Sequence, residues 1–429
     1  MLAMLMILLL VFIMLGMEIA WAIGSACMIY ILVSSFTGGN VPLILIPQQM
    51  LDGIDTFSLI AIPLFILAGE LMAASGITER LVRMAMSFIG HRTGGLANVS
   101  VATNFVLGGV SGSAIADAAA TGTITIPEMK KRGYPAAFAS AVVAASATVA
   151  PIIPPSIMFV LLAAIVNISV GQLFLAGVVP GIMMTTAMLI VTYAIARTHR
   201  FAVGPKASWR ERGENIVSAA LPLLAPLIIL RAISSGVATP TEAAGVLGFY
   251  MLLLGVFAFR MLTFQVILRC AANAMLLSSI IMLTVGAANM FSWLALYENF
   301  GVILTQAMFA ISQDPMVLLL ILNIMLLVLG TFMDALAVML LLGPIVFPLF
   351  TGLGVDPIHL GVIMVINLTL GLITPPVGIL LNVVALIGRV EILAVFRAIM
   401  PYLLTLIGVM LVLTYIPSIT LWLPRWLMP

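Results

Sequence analysis

Apolar residues run along this chain in long unbroken blocks separated by short polar breaks, with no two-residue alternation. Blocks of about 18 or more apolar residues can cross a bilayer as helices, whereas barrel strands are shorter and alternate. The pattern therefore predicts an all-α polytopic membrane protein. Met1 to about Phe36 reads as a retained first span, because no basic stretch of a signal peptide precedes it. A polar-interrupted stretch from Thr37 to Asp55 suits an amphipathic interfacial helix, and Phe57 to about Ala74 crosses back. An apolar segment near 94–127, a broken span near 135–167 and a span from Leu173 to Ala196 complete a first unit, residues 1–197. A hydrophilic loop, Arg197 to Arg212, and a linking span, Ile216 to Ser234, form a connecting unit, 198–236. A second unit, 237–429, follows in the same order, with segments near 316–350 and 357–388.

Basic residues give these spans a direction, since Lys and Arg mark the cytoplasmic side. Arg92 and Lys130 flank the 94–127 segment, and its middle reads Gly108-Gly109-Val110-Ser111-Gly112-Ser113, a turn composition. A segment that starts and ends on one face with a turn between is a re-entrant hairpin, here opening to the cytoplasm. Between Arg269 and Arg389 there is no Lys or Arg, and the breaks Gln313-Asp314-Pro315 and Gly354-Val355-Asp356-Pro357 suit outside loops. The segment between them, interrupted at Gly330-Thr331-Phe332-Met333-Asp334, reads as a second hairpin entering from outside. The competing reading in each case is two ordinary spans joined by a short loop.

Internal similarity favours the paired hairpins. Glu18 answers Glu242, Asp117 answers Asp334, and Pro154-Pro155 answers Pro375-Pro376, at separations of 224, 217 and 221 residues. Near-constant spacing of order-matched features indicates duplication. The charge pattern makes the copies opposite in topology, an arrangement that places a binding site at the repeat interface near the membrane midplane.

Composition narrows the function classes. Of 429 residues, 63% are hydrophobic and 7% charged, against about 25% charged in a soluble domain. A net charge of +2 leaves no basic face for nucleic acid. Cys27 and Cys270 both fall in apolar runs and read as buried thiols. The sequence holds no HExxH, GxSxG or Walker loop, and its three histidines fall at expected loops, so enzymatic chemistry is not indicated.

The candidate chemistry lies in the broken spans. A double proline removes two backbone donors and disfavours helix just before it. Carbonyls freed at membrane depth are tolerated only where they are buried in protein or line a cavity. With nearby hydroxyls they suit a hard monovalent cation. One candidate set is Ser111, Ser113, Ser146, Thr148, Ala150 and Pro151; the second is Gly330, Thr331, Met333, Thr369, Gly371 and Thr374. Pro154, Pro155, Ser156, Pro375 and Pro376 mark the breaks where half-helix ends can face a substrate. The bland reading is prolines that kink helices and hydroxyls that bond their own backbone. Asp117 and Asp334 are intramembrane carboxylates, hence functional candidates, or else helix N-caps. Glu18 falls in the first apolar run, while Glu70, Glu242 and Glu298 sit near expected span ends.

The chain resembles the large membrane (M) subunit of the tripartite ATP-independent periplasmic (TRAP) transporters. The resemblance rests on Ala61-Ile-Pro-Leu-Phe-Ile-Leu-Ala-Gly-Glu-Leu-Met72, Gly108-Gly-Val-Ser-Gly-Ser-Ala-Ile-Ala-Asp117, Pro154-Pro-Ser156, Thr239-Pro-Thr-Glu-Ala243 and Gly371-Leu-Ile-Thr-Pro-Pro-Val-Gly378. It implies an elevator-type fold with a transport domain moving against a scaffold. It also implies sodium coupling at the two hydroxyl and carbonyl sets, and no organic cofactor. A small four-helix membrane subunit (Q type) and a periplasmic substrate-binding protein are implied partners. The implied substrate is an organic acid such as sialic acid or a C4-dicarboxylate, carried across a bacterial or archaeal inner membrane. The alternative within the class is a self-sufficient anion symporter or antiporter without a binding protein.

Overall fold

The computed structural model describes residues 1–36, 41–199, 201, 204 and 206–428. Thr37 to Asn40 of the expected interfacial stretch and Arg200 of the basic loop lie outside the described residues. Every regular element among the described residues is helical. Nine of these helices are long and apolar enough to cross a membrane, as expected where water is absent and backbone groups must be satisfied within each segment.

The first copy begins with α1 (Leu2–Met14) and α2 (Ile19–Phe36). The sequence suggested one span here. Gly16 instead takes φ +78° and ends α1, so the run is split in two. α3 (Leu45–Ile54) and α4 (Ala61–Ala74, after a 3-10 turn at Phe57–Ile60) follow. A strongly amphipathic α5 (Ile77–Ile89) then leads into the first hairpin, α6 (Gly95–Ser111) and α7 (Ala114–Lys131). The broken span is α8 (Ala136–Ala147) and α9 (Ile157–Val166), and α10 (Val170–His199) completes the copy. The link is α11 (Trp209–Ser234), which begins earlier than the apolar run suggested because Ser208 and Glu211 form a capping box.

The second copy is α12 (Pro240–Leu253, extended by a π turn to Ala258), α13 (Phe264–Tyr297) and α14 (Phe300–Ile311). The second hairpin is α15 (Pro315–Phe332) and α16 (Ala335–Gly352). The second broken span is α17 (Pro357–Gly371) and α18 (Ile379–Gly388), followed by α19 (Ile392–Tyr415) and α20 (Pro417–Leu427). From the hairpins onward the copies match in order: α6 with α15, α7 with α16, α8 with α17, α9 with α18 and α10 with α19.

The helix starts correct two of the three sequence pairings. Ala114 and Ala335, and Ala136 and Pro357, are both 221 residues apart, the separation of the double prolines. On that register the counterpart of Asp334 is Ser113, not Asp117, and both cap the second hairpin arm. The counterpart of Glu18 is Thr239, not Glu242. Glu18 is exposed just before α2, outside the apolar helix, and Glu242 closes a capping box on Thr239.

Two packed groups of helices result. α13 packs on α2, α3 and α4, while α12 packs on α4 and α11. The hairpins and broken spans form the other group, and the copies interleave there: α18 packs on α7 and α8, and α19 on α8 and α10. Lys130 Nζ donates to the Gly388 carbonyl at 2.9 Å and Ser140 Oγ to the Val384 carbonyl at 3.2 Å. α8 is buried from Phe138 to Ala147 and α17 from Ile358 to Gly371. Helices apolar on every side belong at the centre of a bundle, and the Ala and Ser of α8 let neighbouring backbones close on it. His359 is likewise buried within α17, not in a loop; its ring meets Thr420 Oγ1 at 2.7 Å and the Thr414 carbonyl at 3.2 Å. Cys27 and Cys270 are free, buried thiols.

Candidate functional site

Each hairpin's first arm rests on a break through bare backbone. A methyl group added at Gly108 of α6 would stand 2.6 Å from the Ala150 Cα. One added at Gly371, at the end of α17, would stand 2.6 Å from the carbonyl carbon and oxygen of Gly330 in α15. The double prolines follow both contacts, and both Pro-Pro bonds are cis. In the first copy a Gly112 methyl would meet the Pro155 carbonyl oxygen at 2.9 Å, so the hairpin tip lies against the break. In the second, the Val377 N–H donates to the Thr331 carbonyl at 3.2 Å.

Polar side chains tie the same elements together. Asn104 of α6 donates to Ser146 Oγ at 2.7 Å and accepts from the Thr121 hydroxyl. In the second copy Asn367, at the position equivalent to Ser146, donates to Asn323 Oδ1 at 3.0 Å and to the Asn323 carbonyl at 2.9 Å. Asn323 in turn donates to Thr414 Oγ1 at 3.0 Å. Sequence reasoning missed these asparagines, although an amide at depth in an apolar run was a visible signal.

The threonine hydroxyls of the candidate sets point their protons at nearby carbonyls. Thr148 donates to Ala145 at 2.7 Å, Thr331 to Val328 at 2.7 Å, Thr369 to Ile366 at 2.7 Å and Thr374 to Leu370 at 2.8 Å. A hydroxyl that gives its proton away keeps oxygen lone pairs for a cation. Among the described residues no backbone donor reaches the carbonyls of Thr148 and Ala150, or those of Ile373 and Thr374. Met333 ends α15, and Ser156 caps α9 by accepting from the Phe159 N–H at 3.2 Å while bonding the Pro151 carbonyl.

Both hairpin tips reach one cavity of about 470 Å³. Ser111 to Asp117 line it from the first tip and Asp334 to Leu336 from the second; Pro151 and Leu372 come from the breaks. The opposite wall is α4, including Glu70, and Leu277, Ile280 and Ile281 of α13. Among the described residues, three carboxylates, Glu70, Asp117 and Asp334, thus share the lining, with no Lys, Arg or His. Glu70 accepts from Asn273 at 3.2 Å. Asp334 accepts from the Leu336 N–H at 2.9 Å, so it is an N-cap and a cavity wall at once. Asp117 is buried; its Oδ1 accepts from Ser111 at 2.5 Å, while Oδ2 has no partner among the described residues. Ser113 caps α7 through the Ala116 N–H. The N-termini of α7 and α16, which favour anions, both open on this space.

The comparisons with known proteins agree with this architecture. The family described as "Tripartite ATP-independent periplasmic transporter, DctM component" matches residues 6–419. The sialic acid TRAP transporter large permease protein SiaM of Vibrio cholerae is 37% identical over 96% of this chain and 95% of its own length. The isethionate TRAP transporter permease protein DctMQ of Oleidesulfovibrio alaskensis is 35% identical over 95% of this chain and 64% of its own. In fold, the chain is similar to the YdaH transporter of Alcanivorax borkumensis, with a TM-score of 0.61 at 14% identity, covering 88% of this chain and 89% of that one. The chain belongs to the DctM family and is an integral membrane protein, the large permease component of a TRAP transporter.

Proposed function

We propose that this permease drives uptake of a small organic acid with sodium, by an elevator motion of its hairpin-bearing helices against α2–α4 and α11–α13. TRAP large permeases work with a small membrane subunit and a periplasmic binding protein. The organic-acid substrate is supported by relatives such as the sialic acid permease.

One observation carries the ion coupling. Among the described residues, the cavity between the hairpin tips is lined by three carboxylates and by no basic residue. Like charges brought together at low dielectric repel strongly, so a carboxylate substrate needs cations beside it. The carbonyls and hydroxyls of the two breaks are hard oxygen ligands for such cations. Sodium at Ser146, Thr148 and Ala150, and at Thr369, Gly371 and Thr374, would sit behind the tips and draw each arm onto its break. The substrate carboxylate then faces the N–H groups that open α7 and α16. Without ions the cavity stays acidic and the hairpins stay apart from the breaks, so the unloaded carrier does not cross.

The charge pattern assigns the Ala74 end of α4 to the cytoplasmic side. The tips lie level with Ile66–Ala73 of α4 and Leu277–Ile281 of α13, which supports reading this conformation as the inward one. Lifting them to the level of Val285–Ser292 moves them by about ten residues of helix, roughly 15 Å at ~1.5 Å per residue. The experiment is uptake of labelled sialic acid and succinate into proteoliposomes holding this chain and its small subunit. Runs with and without a sodium gradient, and with and without binding protein, separate the readings. Uptake that requires both supports the proposal; uptake indifferent to sodium overturns it. Uptake that needs sodium alone makes the chain a self-sufficient carrier.

A further inference from the structure

A second cavity, of about 310 Å³, lies further along α13, beyond the hairpin-tip site. Its walls are α3, the C-terminal end of α9, residues Val285 to Leu296 of α13, and Leu340 and Pro344 of α16. It lies between the two packed helix groups, and none of the candidate ion-site or hairpin-tip residues lines it. Six polar side chains do: Gln49, Asp52, Thr56, Asn167, Asn289 and Ser292.

Two of its groups lack the partners that their surroundings would ordinarily supply. In α13 the hydroxyls of Ser278, Ser279 and Thr284 each donate to the carbonyl four residues back, at 2.6, 2.8 and 2.8 Å. Ser292, about two to four turns further on and 5% exposed, has no partner for its Oγ among the described residues. A buried hydroxyl without a partner is unfavourable unless something else binds it. Across the cavity, Pro344 sits inside α16 and has no N–H to give the Leu340 carbonyl. The wall thus offers an unused hydroxyl and a released carbonyl, together with amides and one carboxylate. Trp293 adds a flat apolar face, stacked on Tyr297 at 5.5 Å between ring centroids.

Mixed donors and acceptors around an aromatic ring match a molecule with several hydroxyls on a carbon frame. Hydroxyls both give and accept, and C–H faces pack on the ring. A dicarboxylate does not match, because among the described residues the only charged group in the lining is Asp52. We infer that this cavity is a second solute site, taking a small polyhydroxylated molecule such as a sugar acid, with its hydroxyls on Ser292, Asn289 and Asp52 and its carboxylate turned away from Asp52. The inference goes beyond the transport reading and needs neither the sodium sites nor the hairpin tips, although α16 of the second hairpin supplies one wall.

Trp293 reports occupancy directly. In purified protein whose other tryptophans, Trp21, Trp209, Trp422 and Trp426, are replaced by Phe, fluorescence is titrated with gluconate, sialic acid and succinate. The expected result is saturable quenching by gluconate or sialic acid at concentrations at least tenfold below any effect of succinate, and its loss in Ser292→Leu. No quenching by either hydroxylated acid, equal quenching by succinate, or quenching that survives Ser292→Leu each overturns the site. If the tryptophan-depleted protein does not fold, Ala288→Cys, at a lining position with no polar role, gives the same answer through thiol labelling in the otherwise unaltered chain. Gluconate or sialic acid slows labelling if the site exists, and unchanged labelling rates refute it. Both readouts are independent of ion gradients, so a failed sodium dependence in uptake and a failed second site are distinguishable.

Discussion

Replacing Gly371 by alanine tests whether closure of a hairpin arm onto its break is what sodium stabilises. The new methyl would lie 2.6 Å from the carbonyl carbon and oxygen of Gly330, where ordinary contact begins at 3.4 Å. Both obstacles are main chain, so no side-chain rotation relieves them. α15 must withdraw from α17 by about 0.8 Å, and forced repacking of this kind costs about 1–3 kcal/mol. If the closed arrangement alone bears this cost, the coupling lost is equivalent to a factor of about 5 to 150 in affinity. Sodium dependence of uptake in proteoliposomes, with the small subunit and binding protein present, should shift to higher concentration by that factor. Gly408→Ala is the control: it lies inside α19 with nothing within 4 Å of the added carbon. Helix propensity alone makes that change neutral or stabilising by about 0.5–1 kcal/mol. A Gly371→Ala protein that folds and takes up substrate with the parent's sodium curve would refute the closure argument.

Asp117→Asn keeps an acceptor for Ser111 but removes a charge from the cavity, and Thr148→Ala removes a hydroxyl beside the unpaired carbonyls of the first break. Each should weaken sodium dependence of uptake while leaving binding-protein docking, measured by surface plasmon resonance, unchanged; parent-like sodium curves in both would sink the first-site assignment. Thr239→Ala deletes the capping box of α12, whose two reciprocal bonds measure 3.3 and 2.8 Å. It should cost about 0.5–2 kcal/mol of stability, seen as a lower melting temperature with an unaltered sodium response.

The hairpins and breaks were legible because their signals are local. Gly112-Ser113 and Asp334 are turn and cap chemistry, and Pro154-Pro155 and Pro375-Pro376 cannot continue a helix. The ends of α15 and α17 could be read from Asp314-Pro315 and Asp356-Pro357, where the aspartates cap the helices. What the chain concealed was relational. α5 went unread because Arg80 and Arg83 look like a loop flank until one face of that helix packs on α6 and α11. Asp117 seemed the twin of Asp334 because both are carboxylates in hairpins, and only the helix starts show that Ser113 holds the equivalent place. Glu70 was read as a span-end residue. Its position on the cavity wall depends on α4 facing the hairpin tips, and no pattern within α4 records that. Asn104 and Asn367 each look like an isolated amide, whose partners lie on other helices.

The interleaving of the two copies bears on how the protein is made. Lys130 of the first hairpin binds the Gly388 carbonyl, 258 residues later, and α8 is covered by α18 and α19. At about 5–20 residues per second, the ribosome needs about 14 to 57 s to supply those covering helices after α7 has emerged. Through that interval α8 and the first hairpin are inserted without their final neighbours, and Ser140, whose partner is the Val384 carbonyl of α18, faces lipid or the insertion machinery. Nascent chains truncated before Ile379 should therefore be open to proteases at the first hairpin, and should become resistant only once α18 and α19 have followed.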